Sequence, residues 1–213
     1  MTQICCVTLL VVALSTVPLF SGTDSHGSLR ILPGSAIDTD GKIQPGEWDD
    51  AQFVEIAVAP DWVVKVGTKY GVKDLNFVFE GVKHGKKRLF PEILLDPKNL
   101  KSADWRSGIW WFHISGNLCE GNGEPNVYEK GGVFQCAHIK LGWDGNNPPA
   151  PDTDEVEVSI SFKKLGIQPE SGASIGIAFD MTDATGDKKQ KFFYWPSGAS
   201  IWSPATWGTG VLE

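Results

Sequence analysis

Apolar and polar residues alternate along much of the chain. The segment 155–162, EVEVSISF, places Val, Ile and Phe on one side and Glu or Ser on the other, which is typical of a half-buried strand. Turn-forming runs such as 144–149, DGNNPP, separate such segments, and a single helical turn is predicted at 162–165. Further strand candidates are 54–58, 62–67, 75–79, 89–95, 109–115, 133–141 and 175–179. The pattern predicts an all-β fold, an antiparallel, jelly-roll-like β-sandwich in a single domain.

The N-terminal segment predicts export. Residues 4–20 form an almost unbroken apolar run, ICCVTLLVVALSTVPLF, which is short for a membrane span and suits a signal-peptide core. No Lys or Arg precedes the run, so an uncleaved anchor is the alternative. We expect a signal peptide over 1–22, a flexible leader over 23–34 and the sandwich over 35–213. The expected location is secreted, periplasmic or otherwise extracellular.

The charge of the chain limits its partners. The formal net charge is −7, and every charged residue follows the apolar run. An acidic domain with no basic cluster argues against nucleic acid, and against a membrane surface once the signal is cleaved.

Two cysteines, Cys119 and Cys136, remain after cleavage of such a signal. In an oxidising compartment they are expected to form a disulfide, and closing this loop would stabilise the fold by about 3 kcal/mol. The pair alone supplies too few ligands for a zinc site.

The sequence contains no recognisable catalytic motif. It has neither a G-x-S-x-G nucleophile turn nor an HExxH zinc motif. Carboxylate pairs are uninformative in a chain with 26 acidic residues. We therefore expect that the protein is not an enzyme.

Tryptophan is unusually frequent, with nine residues in the chain. Its large rigid face matches the apolar face of a sugar ring, although filling the core is the commoner use of any single Trp. In the segment 109–115, alternation places Trp110 and Phe112 on the core face and Trp111 and His113 on the other. Glu92, in the neighbouring run 90–96, belongs either to a solvated face or to a polar site.

Five segments, taken in order, resemble the family 9 carbohydrate-binding modules and the wider group of family 9-like sugar-binding domains. They are IDTDGKIQPGEWDDA, KYGVKDLNFVFEGVK, PEILLDPKN, EVEVSISFKKLGI and YWPSGASIWSPATWG. The resemblance runs from about Ala36 to the C-terminus. It implies a non-catalytic β-sandwich that binds a polysaccharide or oligosaccharide by stacking the sugar on tryptophan.

The resemblance also implies site residues. The family's clamp tryptophan falls on Trp202, its glutamate on Glu92 and its arginine on His113. The second clamp tryptophan would fall near Lys86, so that wall is missing here. Trp105 or Trp111 is the candidate replacement.

The resemblance places the family's structural tryptophans on Trp48 and Trp195, and it implies a structural calcium. Hard oxygen ligands for calcium are available in three aspartate clusters, for which solvated turns are the alternative explanation. These clusters are Asp38 with Asp40, Asp49 with Asp50, and Asp180 with Asp183 and Asp187.

Two other functions remain open. The sandwich also resembles the haem-binding, DOMON-like electron-transfer domains, for which Met181 and the four histidines are the candidate axial ligands. The other possibility is an interaction protein that kept the sandwich and lost the sugar site.

Overall fold

The computed structural model describes residues 27–115, 118–124, 127–130, 134–137, 155–183 and 191–213, with backbone alone at 115 and between 118 and 137. This part of the chain is built almost entirely of strands, with one helical turn, α1 (Phe162–Leu165), and a 3₁₀ turn at Pro204–Thr206. The strands are β1 (Ser28–Pro33), β2 (Gln52–Ala59), β3 (Trp62–Tyr70), β4 (Asp74–Glu80), β5 (Lys83–His84), β6 (Lys87–Arg88), β7 (Phe90–Asp96), β8 (Trp110–Ser115), β9 (Leu118–Glu124), β10 (Val127–Lys130), β11 (Phe134–Ala137), β12 (Glu155–Ser161), β13 (Ser174–Asp183), β14 (Lys191–Trp195) and β15 (Gly208–Leu212).

The strands form two sheets that share β1. The first sheet has the order β10-β9-β8-β7-β13-β15-β1, and β14 also pairs with β13. The second sheet has the order β1-β3-β4-β12-β11, and β2 also pairs with β3. β5 and β6 form a separate hairpin. The predicted all-β sandwich is confirmed.

The prediction of a purely antiparallel sandwich is wrong for β1. This strand runs parallel to β15 over Ser28–Ile31 and parallel to β3 over Leu32 and Pro33. Hairpins produce antiparallel neighbours, whereas parallel neighbours need a long connection. β1 meets strands that lie far along the chain, so no hairpin fixes its direction.

The prediction of a flexible leader over 23–34 is also wrong where the structure describes it. Leu29 and Ile31 are buried in the main core, and Arg30 between them forms a bidentate pair with Glu213. The alternation of these three residues is that of a strand with one buried face. Residues 23–26 and the predicted signal peptide at 1–22 lie outside the described residues, as do the side chains of Cys119 and Cys136.

The main core lies between the two sheets. Phe77 and Phe79 of β4 pack edge to face against Phe179 of β13, with ring centroids 5.8 and 6.0 Å apart. All three rings are completely buried, and full burial of such a side chain contributes about 1.5–3 kcal/mol. Aromatic contacts between the sheets therefore hold the two halves of the sandwich together.

The outer face of the second sheet is covered by the segment between β1 and β2. Trp48 packs on this face, and its indole N–H donates to Glu157 Oε1 over 2.9 Å. Lys69 Nζ donates to Asp50 Oδ1 over 2.8 Å and lies 5.1 Å from the Trp48 ring centroid. The burial expected of Trp48 is confirmed. The expectation that Glu157 faces solvent is wrong, because this segment encloses it.

The predicted helical turn at 162–165 is confirmed. The hydroxyl of Ser161 accepts from Lys164 N, and Gly166 ends the turn with φ +68°, a conformation that favours glycine. None of the helices in the described residues is long and apolar enough to cross a membrane.

Candidate functional site

Four side chains form a row across the outer face of the first sheet. The register places Tyr194 of β14 opposite Asp180 of β13, Asp180 opposite Glu92 of β7, and Glu92 opposite His113 of β8. Directly opposed residues lie on the same face with Cβ atoms about 5 Å apart. The row therefore places two carboxylates side by side, with an imidazole at one end and a phenol at the other.

Glu92 is a buried acceptor at the centre of this row. Its side chain is 2% exposed. The Trp111 indole N–H donates to Oε2 over 2.7 Å, and the Thr182 hydroxyl lies 3.0 Å from Oε1. His113 Nδ1 lies 2.7 Å from Oε1, and against an ionised carboxylate this nitrogen must carry the proton. Glu92 thus fixes the orientation of both rings.

Asp180 shares this enclosed space with Glu92. It is 0% exposed, and it accepts from Phe193 N over 3.2 Å. Burial and the negative charge of Glu92 raise the pKa of Asp180 to about 8. The Thr182 hydroxyl touches both carboxyl groups, at 3.0 Å and 3.3 Å. A hydroxyl has one proton to donate, so the arrangement is best satisfied when the carboxyl pair itself holds a proton.

Tyr194 and Phe192 extend the face along β14. Their rings stack with centroids 6.3 Å apart and planes 18° apart, and Phe192 is 42% exposed. Tyr194 packs on a small apolar cluster that contains Ile201. Burial and the charge of Asp180 raise the pKa of Tyr194 to about 12, so its phenol stays protonated at neutral pH.

Trp202 is the most accessible aromatic side chain at this face. It is 65% exposed, and its ring stands at 75° to that of Trp111 with centroids 6.0 Å apart. Edge-to-face contact is a favourable geometry for aromatic pairs. Because Glu92 holds Trp111, the exposed ring of Trp202 rests on a fixed support.

Two indoles, one buried and one half-buried, hold the turn that carries Trp202. Trp105 Nε1 donates to the carbonyl oxygen of Ile201 over 2.7 Å, and Trp207 Nε1 donates to that of Ser200 over 2.8 Å. The Trp105 and Trp207 rings meet edge to face, with centroids 5.8 Å apart. The backbone on either side of Trp202 is therefore tethered by side chains beneath it.

The loop after β7 tethers the same turn. Lys101 Nζ donates to the carbonyl oxygens of Trp207 and Gly208, and Ala205 N donates to Ser102 O over 2.8 Å. Burial lowers the pKa of Lys101, although the nearby charge of Asp96 opposes this. Contacts from the loop after β7, together with those inside the turn itself, thus fix the position of Trp202.

A cavity of ≈ 530 Å³ lies elsewhere, on the outer face of the second sheet. Phe53, Glu55, Lys65 and Glu80 are among its lining residues. In the register Lys65 lies between the two glutamates, so these charges balance one another. We assign no site there, because Glu55 and Lys65 are exposed, whereas the carboxyl groups of the row on the first sheet are buried.

No protein-family model matches the chain, and no curated protein matches it in sequence. The chain is similar to the structure of a family 9 carbohydrate-binding module from Caldicellulosiruptor kristjanssonii in complex with cellotriose. The TM-score is 0.62 at 16% identity, over 88% of this chain and 94% of that one. The fold is that of a family 9 carbohydrate-binding module. A second structure of that module, in complex with glucose, gives a TM-score of 0.61 at 16% identity, over 88% of this chain and 96% of that one.

The family 9 fold that the ordered sequence segments predict is therefore confirmed. The structure brings four of the predicted site residues together: Glu92, Trp111, His113 and Trp202. Trp105 is half-buried, and its indole N–H donates to the Trp202 turn. Whether any of these residues contacts a sugar stays a prediction.

Four residues of the face were missed at the sequence level: Asp180, Thr182, Phe192 and Tyr194. The alternation in AFDMTD, residues 178–183, was the available signal, because it places Asp180 and Thr182 opposite Phe179 and Met181.

In two of the three aspartate clusters considered for calcium, a carboxylate is engaged or enclosed within the protein, and calcium binding stays a prediction. The Asp50 carboxylate accepts from Ser35 N and Lys69 Nζ, and Asp180 is enclosed beside Glu92. No group of three or more His, Cys, Asp or Glu side chains in the described ranges is arranged to hold a metal ion. Asp187 lies outside those ranges.

The haem alternative is not favoured either. Met181 is completely buried in the core between the sheets, whereas His113 lies on the outer face of the first sheet. His84 stacks on Trp62, with centroids 5.3 Å apart. These candidate axial ligands do not face a common site. His26 and His138 lie outside the described residues.

Proposed function

We propose that the protein is a non-catalytic carbohydrate-binding module that binds its ligand by stacking a sugar ring on Trp202. The observation that carries the proposal is the exposed indole of Trp202, supported from below by Trp111 and Glu92. A large aromatic ring held rigidly in solvent is costly unless it meets a partner. A sugar ring offers a matching apolar face.

Other features of the site support binding of a sugar. His113 stands 6.1 Å from Trp111, ring centroid to ring centroid, and its side chain is 26% exposed. It therefore supplies polar surface next to the indole pair, as ligand sites with a few polar groups among apolar walls require. The module with the same fold in the structures described above holds cellotriose and glucose.

The carboxylate pair argues for binding and not for hydrolysis. A glycosidase needs two carboxyl groups that reach the glycosidic bond from opposite sides. Glu92 and Asp180 are both enclosed, share one hydroxyl partner and face other protein groups. They orient the aromatic rings and do not meet the ligand.

Titration of the protein with cellotriose, followed by tryptophan fluorescence, tests the proposal. Trp202→Ala should weaken binding about fivefold or more, because one stacked ring is worth about 1–3 kcal/mol. Val72→Ala changes a residue that is also highly exposed but distant in the fold, and it should leave the affinity unchanged. Trp202→Ala should alter the free energy of unfolding by less than about 0.5 kcal/mol.

Two results would contradict the proposal. One is unchanged affinity in Trp202→Ala with the fold intact. The other is the absence of any binding of glucose or cellotriose by the unaltered protein at millimolar concentration.

We also propose that the protein is exported and that Cys119 and Cys136 form a disulfide. The support is the apolar run at 4–20 and the pair of cysteines that follows it. Mass spectrometry of the protein from its native source should show loss of about the first 22 residues and no free thiol after unfolding. Two reactive thiols in that material would contradict the disulfide.

A further inference from the structure

Resting on the proposed function, we infer that Phe192 is a second stacking platform for the ligand, so that the site contacts an oligosaccharide along several of its sugar rings. The family resemblance assigns one clamp tryptophan, Trp202, and no counterpart of the second clamp tryptophan. The structure supplies another exposed ring on β14, a strand that carries no part of the site predicted from sequence.

The two platforms belong to one continuous band of aromatic side chains, here called the aromatic rim: Trp111, Trp202, Tyr194 and Phe192. Trp111 contacts Trp202, and Phe192 stacks on Tyr194. The two pairs meet through Ile201, which precedes Trp202 in the chain and packs in the same apolar cluster as Tyr194.

Exposure singles out the two ends of the rim. Among the described residues, the exposed large apolar side chains are Val63, Val72, Leu100, Phe192 and Trp202. The two aromatic members of that group both belong to the rim, and each has a second ring packed against it. Single exposed apolar residues are ordinary, whereas a contiguous exposed patch marks a binding surface.

The register gives the reach of the rim. Trp111 lies opposite Leu94, which lies opposite Ala178, whereas Phe192 lies opposite Thr182, four residues further along β13. Three strand spacings of about 4.8 Å and four residue rises of about 3.3 Å separate the backbone positions of Trp111 and Phe192 by about 20 Å. One pyranose ring cannot span that distance. A ligand that lies across the rim from Trp111 to Phe192 must therefore contain several linked sugars.

Calorimetric titration with glucose, cellotriose and cellohexaose tests the inference. In the unaltered protein the affinity should rise from cellotriose to cellohexaose by about threefold to tenfold, the factor expected from one added aromatic contact. Phe192→Ala should abolish that gain and leave the affinity for glucose unchanged. Phe192→Tyr retains a ring and should retain the gain, as should the control Val72→Ala.

The outcomes separate this inference from the proposed function. If cellohexaose binds no better than cellotriose, or if Phe192→Ala keeps the full gain, the second platform is overturned, while loss of cellotriose binding in Trp202→Ala would still support the module. If no sugar binds the unaltered protein, both the inference and the proposed function fail.

Discussion

The two sheets carry the same pair of side chains on their outer faces, with different surroundings. On the second sheet the Trp48 indole N–H donates to Glu157, and on the first sheet the Trp111 indole N–H donates to Glu92. Both glutamates are buried. The two pairs differ in the charged group that lies nearby and in what covers the indole.

The pair on the second sheet is buried, and its polar groups are hydrogen-bonded within the protein. Trp48 is 4% exposed, and the ammonium group of Lys69 lies over its ring. Burial raises the pKa of Glu157 above its ordinary value, although the hydrogen bonds from Trp48 and Gly41 oppose this. Every polar group of this pair has a partner within the protein, as expected of a structural contact.

The pair on the first sheet is less enclosed. A second carboxyl group, Asp180, lies opposite Glu92 in the register, and the exposed indole of Trp202 packs on Trp111. Enclosing two carboxyl groups together costs stability. The buried carboxyl pair and the exposed indole distinguish this candidate ligand site from the structural contact on the second sheet.

The largest expected effect comes from removing each indole in turn. Trp48→Ala should lower the free energy of unfolding by about 3–5 kcal/mol, because it empties a closed apolar site. Trp111→Ala should lower it by only about 1–3 kcal/mol, mainly by leaving Oε2 of the buried Glu92 without the indole donor. Urea denaturation measures both.

For cellotriose binding we expect the opposite order of effects in the same two variants. At temperatures where both remain folded, Trp111→Ala should weaken cellotriose binding and Trp48→Ala should not. Equal losses of stability, or weaker sugar binding in Trp48→Ala, would show that the two faces are not functionally distinct.

A smaller effect is expected from pH. The pKa of Asp180 is about 8 in the folded protein against 3.8 for an ordinary aspartate, so the folded state binds more protons than the unfolded state between these values. The contribution of Asp180 to stability is therefore fully present below about pH 4 and is lost as the pH rises towards 8.

Asp180→Asn resembles the protonated carboxyl group and tests this dependence. It should raise Tm at pH 8 by a few degrees, about 2–4 °C for each kcal/mol, and change it little at pH 4. Glu157→Gln is the matched comparison, and its pH dependence should change less, since Glu157 has its own donors. Parallel Tm profiles for Asp180→Asn and the unaltered protein would contradict the assignment of the proton to this pair.

Local alternation was enough to predict most of the strands and the faces of β8. It correctly separated Phe112, in the core, from Trp111 and His113, on the outer face. The ordered motifs were enough for the family 9 fold. These features depend on neighbours in the chain, which periodicity reports directly.

The features that the sequence did not predict depend on contacts between distant segments. Glu157 looks solvent-facing until the segment with Trp48 covers it, and residues 28–33 look like a leader until β15 pairs with them. Asp180 joins Glu92 only because β13 lies beside β7, across about 90 residues of sequence. No local pattern reports such a register, so the carboxylate pair and the Phe192 end of the aromatic rim were missed.

The strand β1 has a consequence for how the chain folds. It is the strand common to both sheets, and its partner β15 lies about 180 residues away, so joining them closes a very long loop at a high entropic cost. Each sheet can assemble from its own hairpins first. The two sheets are joined through β1 only after β15 has formed and paired with it. We therefore expect slow, late closure of the sandwich, as is usual for folds dominated by non-local pairing.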